Sequence, residues 1–437
     1  MSLGPKKRVA FLTLGCKLNF SESSTLAREF EENGYARVVP SSDAEVYVIN
    51  TCSVTEHADK KCRQAIRKLI SQSPNAKVVV TGCYAQLKPN ELAAIEGVSL
   101  VVGASEKGNI FHLLDSNNSD KTNTHIYSCN IETVETIFPA YSSADRTRSF
   151  LKVQDGCNYH CSYCTIPLAR GKSRNLPIEQ IVKEAKEIAA KGVKEIILTG
   201  VNIGDFGQTT SESFLNLIRE LEKVDGIERF RISSIEPNLL TSEIIGHVAQ
   251  SSKFLPHFHI PLQSGSNNIL KAMRRRYTRE QFAAKILEVK SAIPSAFIGI
   301  DVIVGFPGES NSDFMDSYNL LEMLNVSFLH IFPYSVRPNT PAELMPEKVP
   351  SNEISRRTHL LQNLSDKLHR QFYQDNLGRA VNVLFEARRK GDQMLGYTEN
   401  YILVEAPFIK NMANTIVAAK LIGTTNSGNA TIEITTP

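Results

Sequence analysis

Short apolar runs alternate with stretches whose apolar positions fall three or four residues apart, and this alternation continues to about residue 375. Runs at 8–14, 45–49 and 77–80 are rich in Val, Ile or Leu, and each is followed by a helical pattern, as a parallel sheet requires. Six further runs, at 149–154, 195–198, 230–233, 257–261, 297–304 and 327–332, alternate with helical stretches such as 178–190 and 279–292. They predict a partial (β/α)6 barrel whose site opens at the strand carboxyl ends. A proline-rich strap at 338–350 leads into a long amphipathic helix at 354–374. Beyond residue 378 the period changes, and short runs at 380–386, 394–398, 401–404, 414–421 and 430–435 predict a small antiparallel β-barrel. The expected fold class is α/β, with an open parallel sheet at 7–135, the partial barrel at 143–375 and the small barrel at 376–437.

Composition supports this division. The 437 residues are 42% hydrophobic and 22% charged, ordinary for a soluble chain of two or three domains. No stretch approaches the length of a membrane span, and the first residues lack an apolar signal core, so the expectation is a cytoplasmic protein without a membrane partner. Eight cysteines in that setting imply reduced thiols and metal ligation rather than disulfides. A net charge of +3 is too small to imply nucleic-acid binding by itself, so any such surface must be local.

The chemistry lies in the cysteines. Cys157, Cys161 and Cys164 give three thiolates in one loop after the first barrel strand. A structural zinc site takes four ligands and ordinary cluster runs supply a fourth cysteine, so three point to an iron-sulfur cluster with one open iron, a degenerate zinc knuckle or chance spacing being the other reading. Cys16, Cys52 and Cys83 each follow one of the first three strand runs. In an open α/β sheet those ends border one crevice, so a second three-thiolate site is one reading and three unrelated cysteines the other. Cys62 falls on the apolar face of the 57–72 helix with Ile66 and Leu69 and reads as packing; Cys129 lies in an irregular connection at 126–131 and is assigned no function.

The 157–164 motif resembles that of radical S-adenosylmethionine (SAM) enzymes. Gly15-Cys16-Lys17-Leu18-Asn19 with Ser21-Glu22, Asn50-Thr51-Cys52-Ser53-Val54 and Gly82-Cys83-Tyr84-Ala85-Gln86 resemble the cysteine motifs of the methylthiotransferase family, and the C-terminal barrel resembles a TRAM domain. The resemblance implies two [4Fe-4S] clusters and SAM as cofactors, one cluster cleaving SAM to a carbon radical and the other presenting sulfur. It implies Thr199, Gly200, Asn202, Ser234 and Glu236 as SAM-binding residues, with no catalytic residue beyond the cluster ligands. It also implies a low-potential electron donor, a sulfur donor and a tRNA anticodon stem-loop as partners. The rim segments 199–204 and 233–237 resemble most the branch that methylthiolates N6-threonylcarbamoyladenosine at position 37 of tRNA. Isopentenyladenosine in tRNA and an aspartate of a ribosomal protein are the alternative substrates in the family, and a non-catalytic two-cluster redox or RNA-binding protein is the alternative of another class.

Two basic runs remain. Arg274, Arg275, Arg276 and Tyr277 suit unstacked RNA, the arginines on phosphates and the ring on a base, unless they are a solvated helix end. The run 170–174 is read as guiding a polyanion or positioning the surroundings of SAM, and Arg379, Arg388, Arg389 and Lys390 as phosphate contacts. Tyr159 and Tyr163 flank the cluster ligands, as shields or as packing.

Overall fold

The computed structural model describes residues 7–117, 123–143 and 146–435. Residues 118–122, 144–145 and 436–437, which belong in turn to the three expected domains, lie outside the described residues. Strands β1 (Arg8–Thr13), β2 (Ala36–Val38), β3 (Val46–Thr51), β4 (Lys77–Gly82), β5 (Val98–Val102) and β6 (His125–Tyr127) form one sheet in the order β2-β1-β3-β4-β5-β6. Every pairing in it is parallel. The central strand β3 is buried at all positions, which is why it reads as a continuous apolar run. Helices α1 (Lys17–Glu32), α2 (Glu56–Gln72), α3 (Cys83–Leu87), α4 (Pro89–Ala93) and α5 (Ile110–Ser116) complete two apolar layers, one on each side of the sheet. The edge strands β2 and β6 are three residues long, too short to show a period in sequence, and β6 begins the connection expected to be irregular.

The centre contains β7 (Ser149–Lys152), the short strands β8 (Gln154–Asp155) and β9 (Arg174–Asn175), then β10 (Glu195–Thr199), β11 (Arg229–Ile232), β12 (His257–His259), β13 (Phe297–Val304) and β14 (Phe328–Pro333). Two parallel sheets, β7-β10-β11 and β12-β13-β14, are joined by the bridges Phe230 to Phe254 and Ser234 to His259, so six strands curve into a partial barrel. Its helices are α6 (Ile166–Arg170), α7 (Ile178–Ala190), α8 (Phe214–Glu222), α9 (Ser242–Gln250), α10 (Asn267–Ala272), α11 (Arg279–Ala292), α12 (Asn311–Leu324) and α13 (Ser351–Asp375). Outward strand residues such as Ile196, Leu198, Ile232 and Ile300 share one core with Ile181, Leu217, Ile286 and Leu364 of the helices. The alternate positions, among them Glu195, Arg229, Arg231, His257, His259 and Asp301, therefore face the lumen. Helix α13 starts at Ser351, directly after Pro350, whose fixed φ suits a helix entry.

Strands β15 (Ala380–Lys390), β16 (Gln393–Tyr397), β17 (Leu403–Pro407), β18 (Ile416–Thr424) and β19 (Ala430–Ile434) close into a barrel in the order β15-β16-β17-β19-β18. Four seams are antiparallel and the β17 to β19 seam is parallel. A closed ring with an odd number of strands must contain such a seam. The barrel docks on the strand amino ends of the partial barrel: Arg229 donates to the carbonyls of Tyr397 and Asn382, Arg231 to those of Glu399 and Thr398, and Arg148 to the Glu386 carboxylate at 2.8 Å.

The first sheet and the partial barrel meet through buried charge. Glu22 of α1 accepts from Lys107 at 2.6 Å, Lys152 at 2.9 Å and Arg170 at 3.1 Å. Asp155 accepts from the same Arg170 at 2.9 Å and from Lys152 at 2.6 Å. Burial alone would raise Glu22, but Arg170, Lys107 and Lys152 outweigh it and hold its carboxyl well below the usual range. A second tie is the strap: Arg337 donates to Ser53 Oγ at 2.8 Å and Asp59 at 3.0 Å, and the Ala342 N–H donates to the Ser162 carbonyl at 2.8 Å.

Removing one member of such a network leaves the others charged and unpaired. Glu22→Gln is expected to cost about 3–5 kcal/mol of stability in denaturant unfolding. Because the folded carboxyl is depressed, its contribution is present above the ordinary value near 4.5 and is lost as pH falls toward the folded value. The wild type should therefore lose stability on acidification more steeply than Glu22→Gln, and parallel profiles would contradict this assignment.

Candidate active site between two cysteine triplets

The first triplet is assembled by strand order. Cys16, Cys52 and Cys83 lie just past the carboxyl ends of β1, β3 and β4, which are adjacent in the sheet. Their backbones crowd together: a Cβ on Gly15 would lie 2.9 Å from the Cys52 Cβ, and one on Gly82, at φ +99°, would lie 2.3 Å from the Thr51 carbonyl oxygen. Only glycine allows either approach. The Cys16 thiol donates to Asn19 Oδ1 at 3.5 Å, and Asn19 also donates to the Thr51 carbonyl and accepts from Arg170 at 2.6 Å. Burial raises Cys16, opposed by Arg170, and together with Cys83 pushes Cys52 up to about 12. Cys62 packs in the core, 1% exposed, its thiol donating to the Cys52 carbonyl at 3.4 Å.

The second triplet sits on a loop clasped at its base by β8 and β9 and by the bond from Cys157 N–H to the Gly171 carbonyl. Each of its sulfurs accepts an N–H: Cys157 from Tyr159 at 3.4 Å, Cys164 from Ile166 at 3.5 Å and Cys161 from the Arg275 guanidinium at 3.0 Å. Burial pushes Cys157 and Cys164 up to about 12 and raises Cys161. Buried thiols whose sulfurs accept N–H bonds suit a metal that displaces their protons. Among the described residues, the group of three metal-ligating side chains with atoms within 4.8 Å is His259, Asp301 and His330. Neither cysteine triplet closes around a single ion, which fits a cluster in which each thiolate holds its own iron. The first triplet is packed against the helix that follows the second: α3, which begins at Cys83, packs on α6, and Cys83, Ala169 and Arg170 line one small cavity with Glu22, Lys152 and Asp155.

The rim beside the second triplet is organised by Gln154. Its Oε1 accepts from the Val201 and Asn202 N–H groups, both at 2.9 Å, and its Nε2 donates to the Gly156 carbonyl and Ser173 Oγ. Gly200 has no room for a side chain against Ile203 and Gln154, and the Thr199 hydroxyl is engaged by the Leu151 carbonyl. Asn202 is 4% exposed, and among the described residues both polar atoms of its side chain lack a partner, as does Asp205 Oδ2. Buried polar atoms without partners beside the cysteine loop fit a polar ligand such as SAM. Ser234 is half-buried and bridges to His259 through its backbone. The Glu236 carboxylate is taken by Arg275, which links it to Cys161.

The basic run does not act as one surface. Tyr277 is 5% exposed and its hydroxyl donates to the Pro261 and Leu262 carbonyls, so its ring packs in the core and is closed to an RNA base. Arg275 turns inward to Cys161 and Glu236, and Arg276 lies over the Tyr159 ring at 3.9 Å with a bond to the Asn158 carbonyl. Arg274 is exposed. In the run 170–174, Arg170 and Arg174 are buried and only Lys172 is exposed, so the segment is a brace rather than a guide for a polyanion. Tyr159 is buried and its hydroxyl accepts from Asn238; Tyr163 packs edge-on against Phe306.

Asn19, Arg170 and Arg275 fall in a motif or basic run legible in sequence, but their contacts with the cysteine loops, like those of Arg337, appear only when distant segments meet. The lumen trio is of the same kind: His259 Nε2 lies 2.6 Å from Asp301 Oδ1, and the His259 and His330 rings are 4.9 Å apart. Strand alternation pointed these positions inward without showing that they converge.

Comparison with known proteins matches residues 151–321 to the radical SAM superfamily and residues 8–103 to the uncharacterized protein family UPF0004. The threonylcarbamoyladenosine tRNA methylthiotransferase MtaB of Bacillus subtilis is 41% identical over 95% of this chain and 93% of its own length. The protein of that name from Aquifex aeolicus is 38% identical over 94% of this chain and 99% of its own length. The tRNA-2-methylthio-N(6)-dimethylallyladenosine synthase of Alkaliphilus oremlandii is 32% identical over 96% of this chain and 91% of its own length. Among solved structures, the radical SAM methyltransferase TsrM of Kitasatospora setae, 14% identical, superposes with a TM-score of 0.58 over 77% of each chain, a likeness of fold alone. With the cysteine loop on a partial barrel and relatives of this identity along nearly the whole chain, the protein belongs to the radical SAM methylthiotransferase family.

Proposed function

We propose that the enzyme replaces the C2 hydrogen of N6-threonylcarbamoyladenosine at position 37 of tRNA with a methylthio group. The observation that carries this reading is that Arg170, on the helix that follows the second triplet, lies beside Cys16 and Cys83 of the first, in a chain 41% identical to a relative named for that reaction. Residues 7–135 hold the auxiliary cluster on Cys16, Cys52 and Cys83; residues 143–375 hold the radical cluster on Cys157, Cys161 and Cys164; residues 376–437 bind RNA. When bound, the radical cluster and SAM supply hydrogen abstraction, and the auxiliary cluster supplies the methylthio sulfur.

The chain's own residues position and shield these groups. Asn202 and Asp205 offer SAM polar atoms that have no partner among the described residues, with Gln154 fixing the backbone at Val201 and Asn202. Tyr397 and Tyr401 stack at 4.8 Å and plug the lumen at the strand amino ends, which keeps bulk water from a radical. Arg274, Arg379, Arg388, Arg389 and Lys390 are exposed and contact the anticodon stem-loop. A low-potential electron donor and a sulfur donor complete the cycle.

Mass analysis of tRNA nucleosides from cells lacking the gene tests the reaction and the substrate together. The expected result is loss of the methylthio group from threonylcarbamoyladenosine, restored by the wild-type chain and not by Cys16→Ala, Cys52→Ala or Cys83→Ala. Loss from isopentenyladenosine instead would overturn the substrate. The purified Cys16→Ala protein should still cleave SAM, because its radical triplet is intact.

Arg275 gives a separate expectation. Its N–H bond and charge stabilise electron density on Cys161, so Arg275→Gln should shift the midpoint potential of the radical cluster to more negative values and slow reductive SAM cleavage by about tenfold. An unchanged potential in EPR-monitored titration would show that Arg275 only braces Glu236.

A further inference from the structure

Three lumen side chains converge without belonging to either cysteine triplet. His259 ends β12, Asp301 lies in β13 and His330 in β14, adjacent parallel strands in which His259 is paired with Gly299 and Asp301 with His330. Residues paired across parallel strands share a face, and Gly299 and Asp301 are two positions apart, so the register sets all four on the lumen side. His259 Nε2 lies 2.6 Å from Asp301 Oδ1, and the His259 and His330 rings are 4.9 Å apart. One ligating atom from each of the three side chains lies within 4.8 Å of the other two.

Two features distinguish this group from a simple hydrogen-bonded pair. Asp301 is half-buried, and among the described residues no lysine or arginine lies within ion-pair distance of its carboxylate, which meets the His259 ring instead. Buried carboxylates are normally paired with a cation or bound to a metal. The second feature is Gly299, which interrupts the apolar run of β13 with no positive φ to require it. A Cβ there would lie 3.6 Å from His330 Nε2 and 3.8 Å from His259 Cδ2, in contact with both imidazoles. Glycine weakens a strand interior, and it marks places where a ligand approaches closely.

We propose that His259, Asp301 and His330 bind one divalent transition-metal ion in the lumen, distinct from the iron of the two clusters. Two imidazoles and a carboxylate are a donor set for Zn2+, Mn2+ or Fe2+, with bonds of about 2.0–2.2 Å for zinc. Ligands on one such ion stand about 3 Å apart. The ion therefore takes the place of the proton between His259 Nε2 and Asp301 Oδ1, which is released to solvent as those atoms move slightly apart. The His330 ring closes on the same ion across Gly299, where a larger residue would stand in its way. Three protein ligands leave coordination positions free, and these open toward the lumen, where they take water or an oxygen donor of an entering molecule. The site is independent of the RNA substrate proposed above.

Manganese is the suitable probe, because thiolates are soft ligands and Mn2+ prefers harder donors, so it does not compete for the cysteine triplets. The test adds Mn2+ to the anaerobic holoenzyme with both clusters oxidised and follows the free ion by EPR at room temperature. One Mn2+ should bind per chain, and pulsed EPR of the bound ion should show the nitrogen couplings of imidazole. His330→Phe, which removes a ligand, and Gly299→Val, which only fills the space beside the rings, should each weaken binding by at least about tenfold. Iron and sulfide content equal to wild type checks that each variant is folded. No binding by the wild type, bound Mn2+ without nitrogen coupling, or unchanged affinity in either variant overturns the inference, and leaves the group as a hydrogen bond from His259 to Asp301 beside a second ring.

Discussion

Arg170 is shared by two carboxylates from different parts of the chain, Glu22 of the first sheet and Asp155 of the barrel, and the relation between the two cysteine triplets depends on that contact. Desolvating five charged side chains is expensive, and the network persists because each member has partners at hydrogen-bonding distance. Three cations against two carboxylates leave a positive excess, and Arg170 opposes the rise that burial imposes on Cys16, favouring the thiolate that iron requires. Rigidity and ligand chemistry thus come from the same guanidinium, which also holds Asn19 next to Cys16.

The strap adds a second constraint on the same pair of loops. Arg337 seizes Ser53 and Asp59 just after Cys52, and five residues later the Ala342 N–H holds Ser162 inside the other triplet. Below them, the C-terminal barrel presses Tyr397 and Tyr401 against Arg148 and Arg231, at 4.4 and 4.7 Å from ring to guanidinium. The lumen is therefore walled by cysteine loops at one end and an aromatic plug at the other, with polar strand residues between.

Much of this was legible in sequence because it follows from local periodicity. The apolar runs placed the six barrel strands within a residue or two, and helices such as 178–190 and 279–292 matched their patterns to the residue. Convergence of Cys16, Cys52 and Cys83 followed from the rule that strand carboxyl ends share a crevice. What periodicity misses is the direction of a charged side chain. Arg275 and Tyr277 look like an RNA surface in sequence, but Arg274 adopts a left-handed backbone at φ +59° that turns the next residues inward to the cluster loop and the core. Glu22 sits in a cysteine motif and Arg170 in a basic run, but their pairing with each other, like that of Arg337 with Asp59, appears only when segments more than a hundred residues apart come together. Their roles belong to tertiary structure, and no local pattern encodes them.

The central claim is that the two triplets hold separate clusters in one chamber at a fixed relation. EPR spectroscopy of the anaerobically reconstituted and fully reduced protein, loaded to about eight irons per chain, tests it most directly. The account predicts spectra split or broadened by magnetic interaction between two reduced [4Fe-4S] clusters. A spectrum of one cluster, or a simple sum of two that do not interact, would contradict it.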